Sequence, residues 1–304
     1  MVHLPSPELL HLGSLAIRWY GACAAISAIV SYFLLIHRAK RFNLTEQQVL
    51  DVMVVCVLGG VVGARLEFVR RFWSEYFADD FWGIFRVWEG GLVFQGGFIL
   101  VVLILMFLCW RRHWSLGDIA DLTAPVLPIA HAIARFGCLL NGCCFGIPWC
   151  HGVLYPATGN TVLAMQIANG WVAPEATMPL PVVPVQFLES LLCLAIAGFI
   201  YWMEHRKLMA HRRFLVYVLF YSFGRFLLEF LRGDYKPHSG LTPAQGTTLL
   251  VVLPVTFAII GYLTWRRHAK SSQTMAEQAN PIASTAEPEQ VGNSPKKSGK
   301  KPKK

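Results

Sequence analysis

Aromatic side chains are absent from the end of the chain. Residues 268–304 contain no Phe, Trp or Tyr, are rich in Ser, Ala, Glu and Pro, and end in KKSGKKPKK. A segment of this composition cannot bury enough apolar surface to fold, so we expect a disordered tail. Its lysines account for part of the net charge of +9. No folded module accompanies them, which argues against a nucleic-acid partner; contact with anionic lipid is the alternative to simple solvation.

Positive charge is absent from residues 141–182, which are rich in Pro, Gly, Ala and Val. We expect a loop with short structured pieces there. Lys and Arg are also absent ahead of the first apolar run. That run is too long for the core of a signal peptide, so we expect it to be retained.

Long apolar runs, by contrast, are abundant. The chain is 55% hydrophobic with a mean hydropathy of +0.46, and its runs have the length of a membrane helix, about 20 residues. The sequence therefore predicts an all-α polytopic membrane protein of about seven transmembrane helices. The predicted spans are roughly 14–36, 47–69, 89–110, 116–138, 183–203, 214–231 and 246–265. They form a domain of residues 1–267, followed by the tail.

The distribution of Lys and Arg predicts the orientation. Twelve follow the first, third, fifth and seventh spans, and five lie on the other side. We expect the N-terminus outside and the C-terminus inside. Segments 70–88 and 141–182 then form a small periplasmic head, and the Trp and Phe residues of 70–88 are typical of interfacial helices.

Ionisable residues recur within these spans, although each costs about 2.5–3.5 kcal/mol near a bilayer centre. Ser222, Arg225, Glu229 and Arg232 follow helical spacing and form one polar stripe. One explanation is an internal Arg225–Glu229 salt bridge. The other, which we favour, is an anion pocket on which Arg65 and Arg135 also converge. Guanidinium groups bind phosphate in bidentate fashion, so a phospholipid headgroup is the expected ligand.

Two glycine-rich segments could approach such a ligand. The first is HAIARFGCLLNGCCFG at 131–146, with Asn141 and Gly146. The second is GGLVFQGG at 90–97, with Gln95, Gly96 and Gly97. The glycines of 90–97 could instead provide close contacts between helices. We favour a ligand site there because a polar residue lies between two glycine pairs.

In this order, the motifs resemble the bacterial prolipoprotein diacylglyceryl transferase family over about residues 14–265. The segment from Arg135 to Gly146 is the most specific element. The other matching motifs are Trp19-Tyr20-Gly21, Gly63-Ala64-Arg65, Glu89-Gly90-Gly91-Leu92, Gly96-Gly97, Pro184 with Gln186, Glu189 and Ser190, Gly224-Arg225-Phe226 with Glu229 and Arg232, and Leu241-Thr242 with Gln245.

The resemblance implies transfer of the diacylglyceryl group from phosphatidylglycerol to the lipobox cysteine of a prolipoprotein, with release of glycerol-1-phosphate. It implies an active site on the periplasmic side of the bacterial inner membrane and no metal or organic cofactor. Arg135 and Arg225 would hold the phosphate, and Glu229 would orient Arg225. Three further positions, Tyr20, Asn141 and Gly146, would hydrogen-bond the headgroup or shape its corner. The other residues expected to bind the lipid are Arg65, Gly96, Gly97 and Arg232.

The chain also departs from the family pattern. Gln95 stands where studied members have a histidine that is a candidate base, and an amide cannot accept a proton in that role. Cys138 and Cys143 replace a usual Asn and Glu. His131 could substitute as base, although a core or interfacial histidine is the more ordinary interpretation. Arginine electrostatics alone could also lower the pKa of the attacking thiol.

Eight cysteines are present. Four in the spans are expected as apolar filler. Cys144 and Cys150 could close a structural disulfide, which we favour, and a zinc site that includes His151 is the alternative. Two further functional hypotheses stay open: a noncatalytic lipid-binding relative, favoured by Gln95, and a transporter of anionic solutes, for which the chain lacks an internal repeat.

Overall fold

The computed structural model describes residues 2–12, 15–78, 80–87, 90–234 and 241–265, and the predicted tail lies outside them. The described chain is mostly helical. Its helices are α1 (Trp19–Ala39), α2 (Glu46–Val54), α3 (Gly60–Arg71), α4 (Phe94–Arg111), α5 (Leu116–Thr123), α6 (Val126–Asn141), α7 (Val162–Ala168), α8 (Val185–His205), α9 (Arg213–Glu229) and α10 (Pro243–Thr247). The strands are β1 (Val2–His3), β2 (Glu8–Leu12), β3 (Leu15–Arg18) and β4 (Pro148–Leu154). Of two compact units, Met1–Thr256 and Phe257–Lys304, the first contains all the contacts described below.

Five segments are long and apolar enough to cross a membrane, and α5 with α6 makes a sixth if the pair is one span. The five are Trp19–Phe42, Glu46–Arg71, Phe94–Arg111, Val185–His205 and Gln245–Trp265. The described residues thus form a polytopic membrane protein with five or six candidate spans, where the sequence predicts seven. The difference is α9: its 17 residues reach only about 26 Å, less than a hydrocarbon core of about 30 Å.

The predicted span 116–138 is bent rather than straight. Helices α5 and α6 meet at 42°, and Pro125 lies between them. Proline has no backbone N–H and its ring clashes with the preceding helical turn, so the hydrogen-bond ladder breaks at this point.

The first helix begins at Trp19, later than the predicted residue 14. The residues before it are extended, because β2 pairs with β3 in an antiparallel hairpin. Arg18 ends this hairpin with φ −99° and ψ 149°.

The predicted outer segments contain short elements. In 141–182, β4 pairs in parallel with β1, and Phe145, Tyr155, Val162 and Val182 form a fully buried cluster. Segment 70–88 contains two short helical stretches, Trp73–Phe77 and Phe81–Phe85, with exposed aromatic rings.

Buried ion pairs close the end of the bundle where α1 and α8 finish, which we call the Arg38 end. Arg38 Nη2 lies 2.7 Å from Glu204 Oε2, and the Arg38 side chain is only 2% exposed. Helix α9 begins at this end, where Arg213 Nη1 lies 3.0 Å from Asp121 Oδ2.

Candidate active site

A second group of charged side chains lies at the other end of the same helices, which we call the Glu189 end. Arg135 is near the end of α6, Glu189 near the start of α8, and Arg225 and Glu229 in the last turns of α9. Helix α8 packs against both α6 and α9. The polar positions that the sequence places on separate spans are therefore brought together.

Glu189 is the centre of this group, and its side chain is only 2% exposed. Its Oε2 lies 3.1 Å from Arg135 Nε, and its Oε1 lies 3.9 Å from Arg225 Nε. A buried carboxylate without partners would cost several kcal/mol, whereas here two guanidinium groups compensate its charge. Although Glu189 is part of the sequence resemblance, it was not predicted as a site residue, because one carboxylate in an apolar span does not reveal its partners.

Two aromatic rings complete the surroundings of Glu189. Tyr221 donates a 2.7 Å hydrogen bond to Glu189 Oε1. His131 Nε2 accepts a 3.2 Å hydrogen bond from Arg135 Nε, and it lies 3.7 Å from Glu189 Oε1. The ring nitrogen that a base would need is thus already engaged with Arg135. In this arrangement His131 Nε2 contacts both Arg135 and Glu189.

Glu229 contacts two arginines, one in α9 and one in the turn that follows it. It forms the expected ion pair with Arg225, and its Oε2 lies 3.7 Å from Arg232 Nε. Thr242 donates a 2.9 Å hydrogen bond to Glu229 Oε1, and Arg232 Nε donates one of 2.8 Å to Asp234. The expected Arg225–Glu229 salt bridge is therefore present, and Arg232 lies beside it.

The glycine-rich segment turns sharply after α6. Gly142 adopts φ 72° and ψ 33°, a left-handed conformation that glycine adopts without steric cost. Gly146 lies between two backbones: a Cβ there would come within 2.6 Å of Val183 O and 2.8 Å of Leu231 O. Gly146 therefore allows the backbones at this corner to pack closely.

Two buried amide oxygens near this turn have no hydrogen-bond partner among the described residues: Asn141 Oδ1 and Gln186 Oε1. Gln186 is otherwise fixed, because its Nε2 donates to Cys143 O at 2.7 Å and to Tyr155 Oη at 3.2 Å. Burial raises the pKa of Tyr155, which stays a phenol and donates to Leu139 O at 3.0 Å. An unsatisfied buried acceptor costs about 1–3 kcal/mol, and both oxygens are closed off from the surface.

Three cysteine thiols gather beside Arg135. The sulfur atoms of Cys138, Cys143 and Cys144 lie within 4.8 Å of one another, and Arg135 Nη1 is 3.6 Å from Cys144 Sγ. Hydrogen bonds from the other two thiols, together with the charges of Arg232 and Arg135, hold the pKa of the Cys144 thiol well below its usual value.

The expected disulfide between Cys144 and Cys150 is wrong. All eight cysteines are free, and Cys150 is exposed, with its Sγ 3.1 Å from Nδ1 of His151. Cys150 lies in the extended β4, which begins at Pro148, whereas Cys144 lies in the turn before it. His151 does not join the three clustered thiols.

Tyr20 occupies the first turn of α1 and is 47% exposed. Helices α1 and α6 approach closely at Gly137, where a Cβ would lie 3.4 Å from Tyr20 Cα. The structure thus brings this predicted residue to the Glu189 end.

Arg65 does not join the arginine group, contrary to expectation. Its guanidinium donates to five backbone carbonyls, of which the shortest contacts are 2.6 Å to Gly83 O and to Gly90 O. The cation also lies 5.4 Å from the ring centres of Phe68 and Phe77. Arg65 therefore organises the loop between α3 and α4.

Gly96 and Gly97 are packing residues, which corrects the preference for a ligand site there. A Cβ on Gly96 would lie 2.4 Å from Gly63 O, and one on Gly97 would lie 2.5 Å from Gly60 O. These contacts let the backbones of α3 and α4 meet, as small residues do in membrane helix pairs. Gln95 is exposed in the first turn of α4.

Comparison with known proteins identifies the family. Residues 7–263 match the model described as prolipoprotein diacylglyceryl transferase. The chain belongs to this family. A Paenarthrobacter aurescens relative named phosphatidylglycerol–prolipoprotein diacylglyceryl transferase is 32% identical over 282 residues, covering 89% of this chain and 86% of that protein. Relatives of the same name come from Burkholderia thailandensis, 32% identical over 248 residues (74% and 82% covered), and Clostridium tetani, 27% identical over 248 residues (81% and 94%).

The resemblance is thereby confirmed, and membership of the diacylglyceryl transferase family makes this chain a transferase enzyme. The expectation of membrane helices is confirmed as well. The transporter hypothesis has no counterpart in these relatives.

Proposed function

We propose that this protein transfers the diacylglyceryl group of phosphatidylglycerol to the lipobox cysteine of a prolipoprotein signal peptide, the first step of lipoprotein maturation. The products are a thioether and glycerol-1-phosphate. One observation carries the proposal: Arg135 and Arg225 lie against different oxygens of the buried Glu189 carboxylate. Two cations are thereby held together where membrane helices meet.

The reaction breaks a C–O bond and leaves a phosphate dianion, so its transition state develops negative charge. Positive groups fixed in advance where that charge develops stabilise it without reorganisation. Each guanidinium has five N–H donors, and Glu189 engages only part of them. Arg135 and Arg225 thus hold the phosphate, while Glu229 positions Arg225 through their ion pair.

The glycerol headgroup binds beside these cations. Tyr20, Asn141 and Arg232 flank it. Gly146 lets the backbones of this corner pack closely, because a Cβ there would come within 2.6 Å of Val183 O.

The site faces the periplasm in a seven-span arrangement of residues 1–267, with the N-terminus outside and both the C-terminus and the tail of 268–304 in the cytoplasm. Helix α9 is the sixth span in this arrangement. The excess of Lys and Arg on one side supports it. So does the alternation of the site helices, since α6 and α9 finish at the Glu189 end whereas α1 and α8 begin there.

A noncatalytic lipid-binding relative is the second candidate, and Gln95 is the observation that favours it. An amide cannot take the proton of the acceptor thiol, and His131 already accepts a hydrogen bond from Arg135. Such a protein would bind phosphatidylglycerol without turnover.

The two candidates are separated by assaying the purified full chain in micelles of phosphatidylglycerol with a lipobox peptide. We expect release of glycerol phosphate and lipidation of the peptide. Because Arg135 is one of two cations on the leaving group, Arg135→Ala should lower turnover by about 10²–10³-fold. Arg70→Ala, at a residue 70% exposed, is the matched control and should leave turnover unchanged.

Wild-type turnover in Arg135→Ala would contradict the assigned role of this residue. Binding of lipid without any turnover by the wild-type chain would favour the second candidate. Activity gained by Gln95→His would then identify the missing base as the cause.

A further inference from the structure

The cluster of Cys138, Cys143 and Cys144 has the geometry of a soft-metal site. Its three sulfur atoms lie within 4.8 Å of one another, and none of the three is in a disulfide. A zinc ion with bonds of about 2.3 Å separates two tetrahedral sulfur ligands by about 3.8 Å. Small side-chain rotations would bring all three thiols to this spacing.

The backbone conformation brings the three thiols close together. Cys138 lies in the last turn of α6 and is buried. The left-handed Gly142 reverses the chain, and Cys144 follows with φ 60°, a conformation uncommon for a residue with a side chain. Cys143 N donates to Cys138 O at 3.3 Å, which fixes the return of the chain over the end of the helix.

The surroundings suit a thiolate-bound divalent cation. Three thiolates and one divalent ion have a net charge of −1, and Arg135 Nη1, 3.6 Å from Cys144 Sγ, compensates it. Sulfur ligands select soft or borderline ions such as zinc and disfavour magnesium and calcium. Among the described residues no His, Asp or Glu belongs to the cluster, so the protein supplies three ligands.

We propose that these three thiolates bind one zinc ion whose fourth position receives the acceptor thiol of the lipobox cysteine. Three protein ligands with an open fourth position are characteristic of catalytic rather than structural zinc. The proposal departs from the expectation of no metal that the family resemblance implies, because Cys138 and Cys143 replace the usual Asn and Glu. The assignment of this acceptor rests on the proposed function, whereas the zinc site itself does not.

The chemistry is balanced without an oxidant or reductant. The acceptor thiol loses its proton to water when it binds zinc, because a coordinated thiol is deprotonated. The bound sulfur forms the C–S bond with the glyceryl carbon. The C–O bond to phosphate breaks, and its electron pair leaves with the glycerol phosphate beside Arg135. Zinc thus makes the nucleophile that Gln95, an amide, cannot make.

The metal site is tested on the purified full chain by loading with zinc, removing excess and measuring metal by mass spectrometry. We expect one zinc per chain. Cys143→Ser and Cys144→Ser should each weaken zinc binding by more than about 10-fold. Even the loss of a residue that only hydrogen-bonds to a metal ligand lowers metal affinity by about that factor. Cys150→Ser removes a thiol outside the cluster and is the matched control. Circular dichroism confirms that each variant keeps its helical content.

A wild-type chain that retains no zinc overturns the site, as does a disulfide among the three cysteines detected by thiol mapping. Equal loss of zinc in Cys150→Ser would overturn the assignment of ligands.

The acceptor role is tested with cobalt(II) in place of zinc, because sulfur-to-cobalt charge-transfer bands report the sulfur ligands. A lipobox peptide should raise this absorption by about one third, as three sulfur ligands become four. The same peptide with Ser in place of its Cys should not. An unchanged spectrum with the cysteine peptide overturns the acceptor role. The cobalt spectrum can be measured without turnover. A spectral change without release of glycerol phosphate would therefore contradict the proposed transferase reaction but support the metal site.

Discussion

Glu189 shows how one carboxylate can set the spacing of two cations. Arg135 and Arg225 are on different helices, and each lies against its own oxygen of the Glu189 side chain. Tyr221 donates to the same carboxylate. The distance between the two guanidinium groups therefore depends on a residue that itself touches no substrate in the proposed reaction.

Replacing Glu189 with Gln should test this dependence. The amide keeps the shape but loses the charge, so we expect both arginines to shift and turnover to fall about 100-fold, the scale of a 1 Å misplacement. Steady-state kinetics with the lipobox peptide measures the effect, which should appear mainly in kcat.

Glu67→Gln is the matched control, since Glu67 pairs with the exposed Arg70 and Arg71. We expect wild-type kcat in this variant. Equal kcat in Glu189→Gln and Glu67→Gln would contradict the positioning role of Glu189.

Arg65 should affect stability more than catalysis. Arg65→Lys keeps the charge but cannot reproduce a planar fork that reaches five carbonyls. Hydrogen bonds to charged groups contribute about 1.5–3 kcal/mol each, so loss of two should lower the free energy of unfolding by roughly 3 kcal/mol or more. Thermal unfolding in detergent measures this.

Arg71→Lys, at a residue 45% exposed on the same helix, should leave the melting temperature unchanged. A stable Arg65→Lys protein without activity would return Arg65 to the substrate site that the sequence suggested.

At the scale of elements, the pairing of α3 with α4 depends on glycines. A Cβ on Gly96 would overlap Gly63 O at 2.4 Å and Glu67 Cβ at 2.3 Å. We expect Gly96→Ala to force the helices apart and to cost about 1–3 kcal/mol, the usual penalty of overpacking. Chemical denaturation in detergent gives the value.

Gly60→Ala provides the comparison, because a Cβ at Gly60 meets nothing within 4 Å. Alanine is a better helix former than glycine by about 1 kcal/mol, so this variant should be as stable as the wild type or more so. Equal stability of the two variants would refute the packing role of Gly96.

The elements also show what the sequence reveals. Apolar runs locate most of the helices, and helical spacing correctly groups Arg225 with Glu229. Spacing cannot show whether a glycine approaches a ligand or another helix, which explains the error at Gly96 and Gly97. The contacts of Glu189 and of the clustered thiols were likewise hidden, because they join segments far apart in the chain or depend on the angles of one turn.

For the whole molecule, the sides on which the termini lie show whether the number of spans is odd or even. Seven spans place the N-terminus and the C-terminus on opposite sides, whereas six place them on one side. We expect fluorescence from a green fluorescent protein fused after Lys304, since this fusion fluoresces in the cytoplasm. An epitope at the N-terminus should be reached by antibody in intact spheroplasts.

Both termini on one side would contradict the seven-span arrangement and would leave α9 as a helix that does not cross. The same pair of fusions on the Arg65→Lys protein controls for misfolding, because loss of loop stability should not reverse the orientation.

The Arg38 end gives the molecule an electrical property. Arg38 with Glu204, and Arg213 with Asp121, fill that end with matched charges that are bonded to one another, four helical turns from Glu189 along α8. Ions permeate where water or fixed dipoles replace their hydration continuously, and a neutralised, buried plug offers neither. One elementary charge that crossed the membrane would gain or lose about 2.3 kcal/mol for each 100 mV of membrane potential. We therefore expect the protein to carry no ionic current, so that its reaction neither dissipates the membrane potential nor depends on it.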